Sequence, residues 1–235
     1  ENIVNLRCKP YMEDIEKKQR LFSKIPKSKN LFISSKSNII NIVRSNDFLQ
    51  QVKKKHRYYI KQSEKLKIDW RVCSGSDTAR IFNIVYDEMK NTKSLKLPII
   101  NIDNFSKILG LTKDGEPRLF AFAGFENDRP VSVCIVSLLD NKAFYHYAAS
   151  TERGRDISAS YGMIFNLVEK LRDLSINELD FGGISNDGSS SGVDFFKQGF
   201  NGQGFLKIGE FDISKFKLCS YFFNKLLQFK KTLKG

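Results

Sequence analysis

The stretch of residues 179–212 limits the possible folds of this chain more than any other part of the sequence. A short apolar run at its start predicts a β-strand that ends at Gly182 and Gly183, where missing β-carbons allow a sharp turn and the close approach of another group. A polar Ser/Gly loop follows, then Lys197 directly after two phenylalanines, and then an apolar run at 205–211 that predicts a second strand. This order is typical of one wall of a cleft.

The same stretch carries several residue types in a fixed order. It reads DFGGI, a Gly/Ser-rich loop, G-x-x-x-F-K-x-G-F-x-G and then IGEFD. This pattern resembles the C-terminal signature of the FemAB-like family, the tRNA-dependent aminoacyltransferases that build peptidoglycan interpeptide bridges. A weaker resemblance extends back to about Lys53, where KKKHRYYIKQSEK is similar to the basic helix that opens the second acetyltransferase-like (GNAT) domain of the family. The resemblance implies an α/β fold with a GNAT-like mixed sheet flanked by helices.

The resemblance also divides the chain into three parts. These are an N-terminal segment at 1–45, interpreted as the remnant of a first GNAT-like domain, a FemAB-like GNAT domain at 46–212, and a basic amphipathic C-terminal helix at 213–235. The N-terminal portion is abbreviated, because family members have a complete first domain there. Short periodic runs in it predict strands at 2–8 and 38–44 and a helix at 11–22. The chain begins at Glu1 rather than methionine, as a fragment or a processed chain would.

The elements predicted after residue 46 agree with this fold. They are a helix at 46–66 capped by Asn46, a strand at 68–72, a helix capped by Ser76, a short helix at 103–109 capped by Asp103, strands at 118–125 and 131–138 joined by a turn, a strand at 143–149, and a helix at 157–171. A hairpin, strand, helix and strand in this order favour the GNAT-like arrangement.

The charge of the chain indicates anionic partners. It has 39 Lys and Arg against 26 Asp and Glu, a formal net charge of +13. The helix at 46–66 carries Lys53, Lys54, Lys55 and Arg57, which form either a solvated surface or a face that contacts phosphates of tRNA or of a nucleotide-diphosphate substrate. The C-terminal helix either packs on the core or lies on an anionic membrane.

Neither a zinc site nor a disulfide framework is indicated. The four cysteines are widely spaced, and the only two histidines are His56 and His146. Both histidines fit packing roles better than the role of a base. No apolar run of about 18 residues predicts a transmembrane helix, and no signal peptide is recognisable. A cytoplasmic location is expected, with peripheral contact at the inner face of the membrane if the C-terminal helix lies on it.

The start of the helix at 157–171 bears on the acyl donor. GNAT-like folds that use coenzyme A carry Q/R-x-x-G-x-G/A there, so that backbone amides hold the pyrophosphate. The corresponding residues are Arg155, Asp156, Ser158 and Ser160, with serines at both small positions. The β-carbons and the acidic residue predict a poor coenzyme A site, so no cofactor is expected. The resemblance instead implies aminoacyl-tRNA as the donor.

Lys197 and Phe196 are the predicted catalytic residues. Aminoacyl transfer from an ester to an amine needs an oriented amine and a cation where negative charge develops on the carbonyl oxygen. FemAB-like proteins match these two positions to residues proposed for such roles. The alternative is a surface lysine that follows two core phenylalanines. No Ser/His/Asp or Cys/His set has interpretable spacing, which favours a non-covalent mechanism.

The predicted substrate-binding residues surround this pair. They comprise cations after or within basic helices, two tyrosines expected on one face of a strand, a carboxylate, and the glycine turn: Arg57, Lys93, Lys96, Tyr145, Tyr147, Asp180, Gly182 and Gly183. Asp180 and Glu210 fit structural roles equally well. No metal-ligating cluster is predicted.

Three functions are consistent with these patterns. The first is aminoacyl or acyl transfer to an amine of a cell-envelope precursor, peptidoglycan or polysaccharide, from aminoacyl-tRNA. The second is a coenzyme A-dependent N-acyltransferase that acts on a nucleotide- or lipid-linked amino sugar. The third is a basic module without catalytic activity that binds RNA or anionic lipid.

Overall fold

A computed structural model describes residues 5–12, 14–28, 34–42, 47–92, 99–102, 118–185 and 191–214, together with Tyr221 and Lys225. The strands are β1 (Asn5–Cys8), β2 (Lys36–Asn41), β3 (Asp69–Cys73), β4 (Leu119–Glu126), β5 (Arg129–Leu139), β6 (Lys142–Ser150), β7 (Glu178–Ile184), β8 (Gln203–Leu206) and β9 (Phe211–Ser214). The helices are α1 (Glu16–Gln19), α2 (Phe48–Gln51), α3 (Lys54–Glu64), α4 (Ser76–Thr92), α5 (Glu152–Asp156), α6 (Ala159–Asp173) and α7 (Ser191–Gly199), and a 3-10 helix spans Arg20–Phe22.

These elements form two compact units. Unit 1 comprises Glu1–Ser37, Gly183–Ser191 and Gly204–Gly235, and unit 2 comprises Asn38–Gly182 and Gly192–Gln203. The division into 1–45, 46–212 and 213–235 stays a prediction from the resemblance.

The main sheet has seven strands in the order β3-β4-β5-β6-β7-β2-β8. Strands β3 to β6 pair antiparallel with their neighbours, whereas β6 pairs parallel with β7. Helices pack on both faces of its unit 2 portion. The predicted α/β class with a mixed sheet flanked by helices is confirmed.

Two apolar clusters cover the two faces of the sheet in unit 2. On one face, α4 contributes Phe82 to a cluster that contains Ile135 of β5. On the other face, α3 and α6 contribute to a cluster in which Leu167 and Val136 are buried. A strand covered on both faces needs apolar side chains at every position, which explains the continuous run LFAFAGF of β4.

The hairpin between β4 and β5 is tighter than the predicted turn at 126–130. Only Asn127 and Asp128 separate the two strands, with φ angles of 49° and 61°. Asn and Asp tolerate this left-handed conformation better than other residues with a β-carbon. Two successive positive φ angles match the twist of the flanking strands, so this short turn fixes their register.

The helix predicted at 46–66 is interrupted. Val52 is extended (ψ 139°) and its side chain is buried in the core, so the chain forms α2 and α3 instead of one helix. Asp47 caps α2, because its carboxylate accepts a hydrogen bond from the backbone N–H of Leu49 at 3.0 Å. The predicted cap, Asn46, lies outside the described residues.

The strand predicted at 205–211 is also interrupted. Gly209 has a φ of 116°, a conformation that ends the extended chain between β8 and β9. The segments predicted at 2–8 and 11–22 contain β1, the short helix α1 and the 3-10 helix. The helix predicted at 103–109 lies outside the described residues. So does most of the helix predicted at 213–235, whose first two residues belong to β9.

Unit 1 contains a buried ion-pair network. Strands β1 and β9 pair antiparallel with Arg7 opposite Asp212. The Arg7 guanidinium donates to both carboxylate oxygens of Asp212, at 2.7 and 2.9 Å, and its Nη1 lies 3.5 Å from Oε2 of Glu210. The side chains of these three residues are at most 5% exposed. Two-point contact of this kind offsets much of the cost of removing charges from water.

Candidate functional site

A cleft of about 640 Å³ opens in unit 2 beside β6. Strands β6 and β7 pair over only three residues of each strand, Lys142 to Phe144 against Glu178 to Asp180, and both strands then continue past the paired segment. The cleft is lined by the part of β6 that extends beyond its pairing with β7, by residues of α5 and the start of α6, and by α7. Its volume is in the range of small-ligand sites.

A β-bulge in β6 shapes this lining. Ile135 of β5 is opposite Tyr147 and Val136 is opposite Tyr145, so His146 is an extra residue in the strand. Tyr145 consequently packs with the cluster that contains Val136, whereas Tyr147 packs with the cluster on the other face. The prediction that both tyrosines share one face is wrong, because the bulge shifts the alternation by one residue. Both residues nevertheless line the cleft.

The cleft lining includes the aromatic side chains of Tyr145, Tyr147, Tyr161 and Phe196. Burial raises the pKa of the Tyr145 hydroxyl well above its ordinary value, and burial also raises the pKa of Tyr161. Both hydroxyls therefore stay protonated at neutral pH and can donate hydrogen bonds. The ring of Tyr161 meets that of Phe196 edge to face, with the centroids 5.1 Å apart.

Phe196 and Lys197 lie on α7 and line the cleft. The sequence alone does not identify this segment as a helix, because Gly192 and Gly199 lie near its ends. The backbone carbonyl of Lys197 accepts a hydrogen bond from Nδ2 of the buried Asn38 at 2.8 Å. Phe196 packs against the ring of Phe181, with the centroids 5.9 Å apart. These contacts fix the C-terminal half of α7 against the sheet.

The turn at Gly182 explains how Lys197 approaches the sheet. Gly182 has a φ of 79°, which favours glycine. A β-carbon at this position would lie 3.5 Å from Nζ of Lys197 and 3.5 Å from the carbonyl oxygen of Tyr145. The ammonium group therefore lies close to the backbone at the point where β6 and β7 separate.

The buried His56 of α3 packs against α7. Its ring is 1% exposed, and its Nε2 lies 3.1 Å from the carbonyl oxygen of Phe196. A β-carbon on Gly199 would lie 2.0 Å from this ring, so the glycine allows the helix to approach it. Burial lowers the pKa of His56, and the charges of Lys53 and Lys55 lower it further. The neutral ring fits the predicted packing role.

A chain of serine hydroxyls lies at the start of α6. Ser160 Oγ is 2.7 Å from Ser150 Oγ, which is 2.9 Å from Ser132 Oγ. Ser158 adopts a left-handed conformation with a φ of 57°. Arg155, which also lines the cleft, donates from Nη1 to the carbonyl oxygen of Ser150 at 2.9 Å.

Some predicted substrate-binding residues lie apart from the cleft. Asp180 is buried, and its Oδ1 accepts a hydrogen bond from the backbone N–H of Gly182 at 2.7 Å, which stabilises the turn. Gly183 packs in unit 1, where a β-carbon would lie 2.7 Å from Cβ of Ser34. Arg57 donates to the carbonyl oxygen of Gln50 at 3.3 Å. Lys93 and Lys96 lie outside the described residues.

His146 has a structural partner. Its Nε2 lies 2.6 Å from Oγ of Ser137 on the neighbouring strand. Desolvation lowers its pKa, and the negative charge of Asp180 partly opposes this effect. Over the part of the chain that the structure describes, no cluster of His, Cys, Asp and Glu could hold a metal ion. Within the same residues, no helix combines the length and apolar character that crossing a membrane requires.

The comparisons with known proteins agree with the architecture. Residues 121–228 match the model of the FemAB family. A crystal structure of FemX superposes with a TM-score of 0.73 at 15% sequence identity, covering 94% of this chain and 74% of FemX. L-PGS from Bacillus licheniformis superposes with a TM-score of 0.57 at 10% identity, covering 90% of this chain and 70% of that protein.

No curated protein matches the chain significantly. The two structural likenesses fall at low sequence identity and establish the fold. The family model begins within β4 and extends beyond β9, so it covers β6, β7 and α7. The resemblance predicted from the DFGGI and FFKQGF residues is confirmed, because both motifs lie within the matched residues 121–228.

Proposed function

We propose that unit 2 transfers an aminoacyl group from aminoacyl-tRNA to an amine of a cell-envelope precursor, peptidoglycan or polysaccharide. The FemAB-family region and the likeness to FemX and L-PGS support aminoacyl transfer in envelope biosynthesis. The observation that carries the proposal is the position of Lys197. Its ammonium group lies next to Gly182, and the residue lines the cleft together with Phe196.

The reaction requires no covalent intermediate on the enzyme. The acceptor amine attacks the ester carbonyl carbon, a C–N bond forms and the C–O bond to the ribose breaks. The amine loses a proton, and the departing ribose hydroxyl gains one. Lys197 would stabilise the negative charge that develops on the carbonyl oxygen, and Phe196 would shape the pocket. Because the ester is already activated, orientation and this charge stabilisation supply most of the catalysis.

The charge of the cleft suits an anionic donor. Arg155 and Lys197 line it, and the rings of Tyr145, Tyr147 and Tyr161 provide surfaces against which a nucleoside can pack. A terminal nucleotide carries both a phosphate and a base, which matches this combination of cations and rings. This chemistry supports tRNA as the donor.

We infer that acyl-CoA is a poor donor for this site. Ser158 is left-handed where glycine would be unstrained, and the hydroxyl of Ser160 is engaged by Ser150. Both β-carbons stand where a pyrophosphate would need close access to backbone amides. Isothermal calorimetry with acetyl-CoA should detect no binding to the parent, to Ser158→Gly or to Ser160→Gly. Micromolar binding by the parent would instead support the coenzyme A-dependent acyltransferase.

The decisive experiment supplies both donors at once. Envelope precursors are incubated with the protein, charged tRNA and acyl-CoAs, and the products are identified by mass spectrometry. We expect a mass increase of one aminoacyl residue that depends on charged tRNA. No mass change with any donor would favour the binding module without catalytic activity. Peripheral membrane contact through the segment 213–235 stays a prediction, and vesicle flotation tests it.

A further inference from the structure

We propose that unit 2 holds unpaired nucleotides of an RNA on an exposed surface beside the cleft, the aromatic–lysine surface. This surface consists of Lys54, Lys55, Tyr58 and Lys61 of α3 and Phe195 of α7. The inference rests on the proposed function, since it identifies where the donor RNA is held outside the cleft.

Two exposed rings define the surface. Tyr58 is 58% exposed and Phe195 is 48% exposed. A single exposed aromatic residue needs no explanation, but exposed rings on two helices that pack together provide apolar surface for a ligand. Phe195 directly precedes Phe196, whose side chain lines the cleft. The two residues are neighbours on α7, so the surface begins one residue away from the cleft lining.

Lysines share an exposed helix face with Tyr58, and one lysine lies beside Phe195. Lys54, Tyr58 and Lys61 follow helical spacing on one exposed face of α3. Nζ of Lys55 lies 5.2 Å from the centroid of the Phe195 ring. No acidic residue occurs between residues 53 and 63. The surface therefore offers phosphate contacts and flat apolar rings together, the combination that binds single-stranded nucleic acid.

Each exposed ring contacts a further ring that is less exposed than itself. The centroid of Phe195 lies 5.1 Å from that of the buried His56. Tyr58 contacts Tyr59 at 5.6 Å, and Tyr59 contacts Tyr161 at 4.7 Å between centroids. Tyr161 lines the cleft, so a continuous series of rings connects the exposed surface with the candidate site. Because they are preorganised, the rings lose little conformational freedom when a base stacks on them.

The chemistry favours RNA over a lipid surface. The exposed residues of α3 are lysines, Tyr58 and Glu64, and none of them is an aliphatic residue that could enter an acyl-chain layer. Amphipathic helices that bind membranes combine cations with a large apolar face. Here the larger apolar face of α3, with Ile60, is buried in the core. An anionic membrane is the competing partner in the test below.

The test measures binding of a short fluorescein-labelled single-stranded RNA by anisotropy, without any aminoacyl transfer. Phe195→Ala and Tyr58→Ala should each weaken binding by about tenfold, because each removes one stacking ring. Phe195→Tyr and Tyr58→Phe keep the ring and should bind like the parent. Tyr221→Ala is the matched control, since Tyr221 is also an exposed ring near a lysine, Lys225, but belongs to unit 1.

Salt dependence separates rings from cations. Replacing Lys54, Lys55 and Lys61 by Gln should reduce the slope of log affinity against log salt by roughly two to three, whereas ring removal should leave the slope unchanged. The same RNA as a duplex should bind more weakly than the single strand. Equal RNA binding by the parent and the alanine variants would contradict the proposal that this surface binds unpaired nucleotides. Tighter binding of the duplex than of the single strand would also contradict it.

Two further outcomes distinguish this inference from the proposed function. If Phe195→Ala transfers the aminoacyl group with the parental KM for the RNA donor, the proposed RNA binding by the aromatic–lysine surface is wrong. The proposed transferase function is then unaffected. If RNA binding behaves as expected but no transfer occurs, only the transferase function is wrong. Loss of binding to phosphatidylglycerol vesicles in the alanine variants, with RNA binding unchanged, would identify a membrane surface instead.

Discussion

Two parts of the stretch at 179–212, which carries the FemAB-like signature, have different roles in the structure. In unit 2 the segment around Phe196 and Lys197 forms α7 and lines a cleft. In unit 1 the segment IGEFD contributes Glu210 and Asp212 to a buried network with Arg7. The contrast teaches that one continuous sequence signature can combine residues for chemistry with residues for architecture.

Arg7→Met should cause the largest loss of stability, because it removes the centre of the buried ion-pair network in unit 1. Removing the guanidinium leaves two buried carboxylates without this counter-charge, which typically costs about 3–5 kcal/mol of unfolding free energy. Urea unfolding of the purified variant measures this loss. Arg20→Met is the matched control, since Arg20 pairs with Glu16 on the surface and both side chains are more than three-quarters exposed. A stable Arg7→Met variant would show that the network contributes little.

Gly199→Ala should have the next largest effect. The added β-carbon would meet the buried ring of His56, and overpacking of this kind typically costs about 1–3 kcal/mol. Gly192→Ala is the control at the other end of α7, because a β-carbon there meets nothing within 4 Å. Thermal melting of both variants distinguishes the buried end of α7 from its open end. Equal melting temperatures would contradict the packing of α7 on His56.

The pH dependence of stability should show the smallest effect. Burial and the nearby lysines lower the pKa of His56 in the folded state, so the unfolded chain binds a proton more readily. The unfolding free energy should therefore fall as the pH drops below about 6.5, the ordinary pKa of histidine. His56→Gln should reduce this dependence, and His146→Gln should remove a separate part of it, because the pKa of His146 is also lowered. An identical slope in His56→Gln and the parent would contradict a buried neutral ring.

The sequence predicts the order of the helices and strands better than it predicts where a helix breaks or a strand bulges. Alternating and helical periodicity locate β4, β5 and α6, because burial on defined faces determines those patterns. The bulge at His146 and the break at Val52 are missed, since both are set by tertiary packing that local periodicity does not encode.

The candidate site was predictable only where a local signal existed. Lys197 and Gly182 stand out through aromatic and glycine neighbours, and the structure brings them together at the cleft. Asp180 and Gly183 carry the same kind of signal but serve the turn and its packing. The contact of His56 with the carbonyl of Phe196 joins residues far apart in sequence, and no spacing rule reveals it.

The central claim is that Lys197 stabilises the transition state of aminoacyl transfer, and the kinetics of Lys197→Met test it most directly. A cation directed at a developing oxyanion predicts a kcat reduced by roughly 10²-fold, with KM and melting temperature close to those of the parent. Raised KM with unchanged kcat would make Lys197 a donor-binding residue instead. Unchanged activity, or an unfolded variant, would contradict the catalytic role of α7.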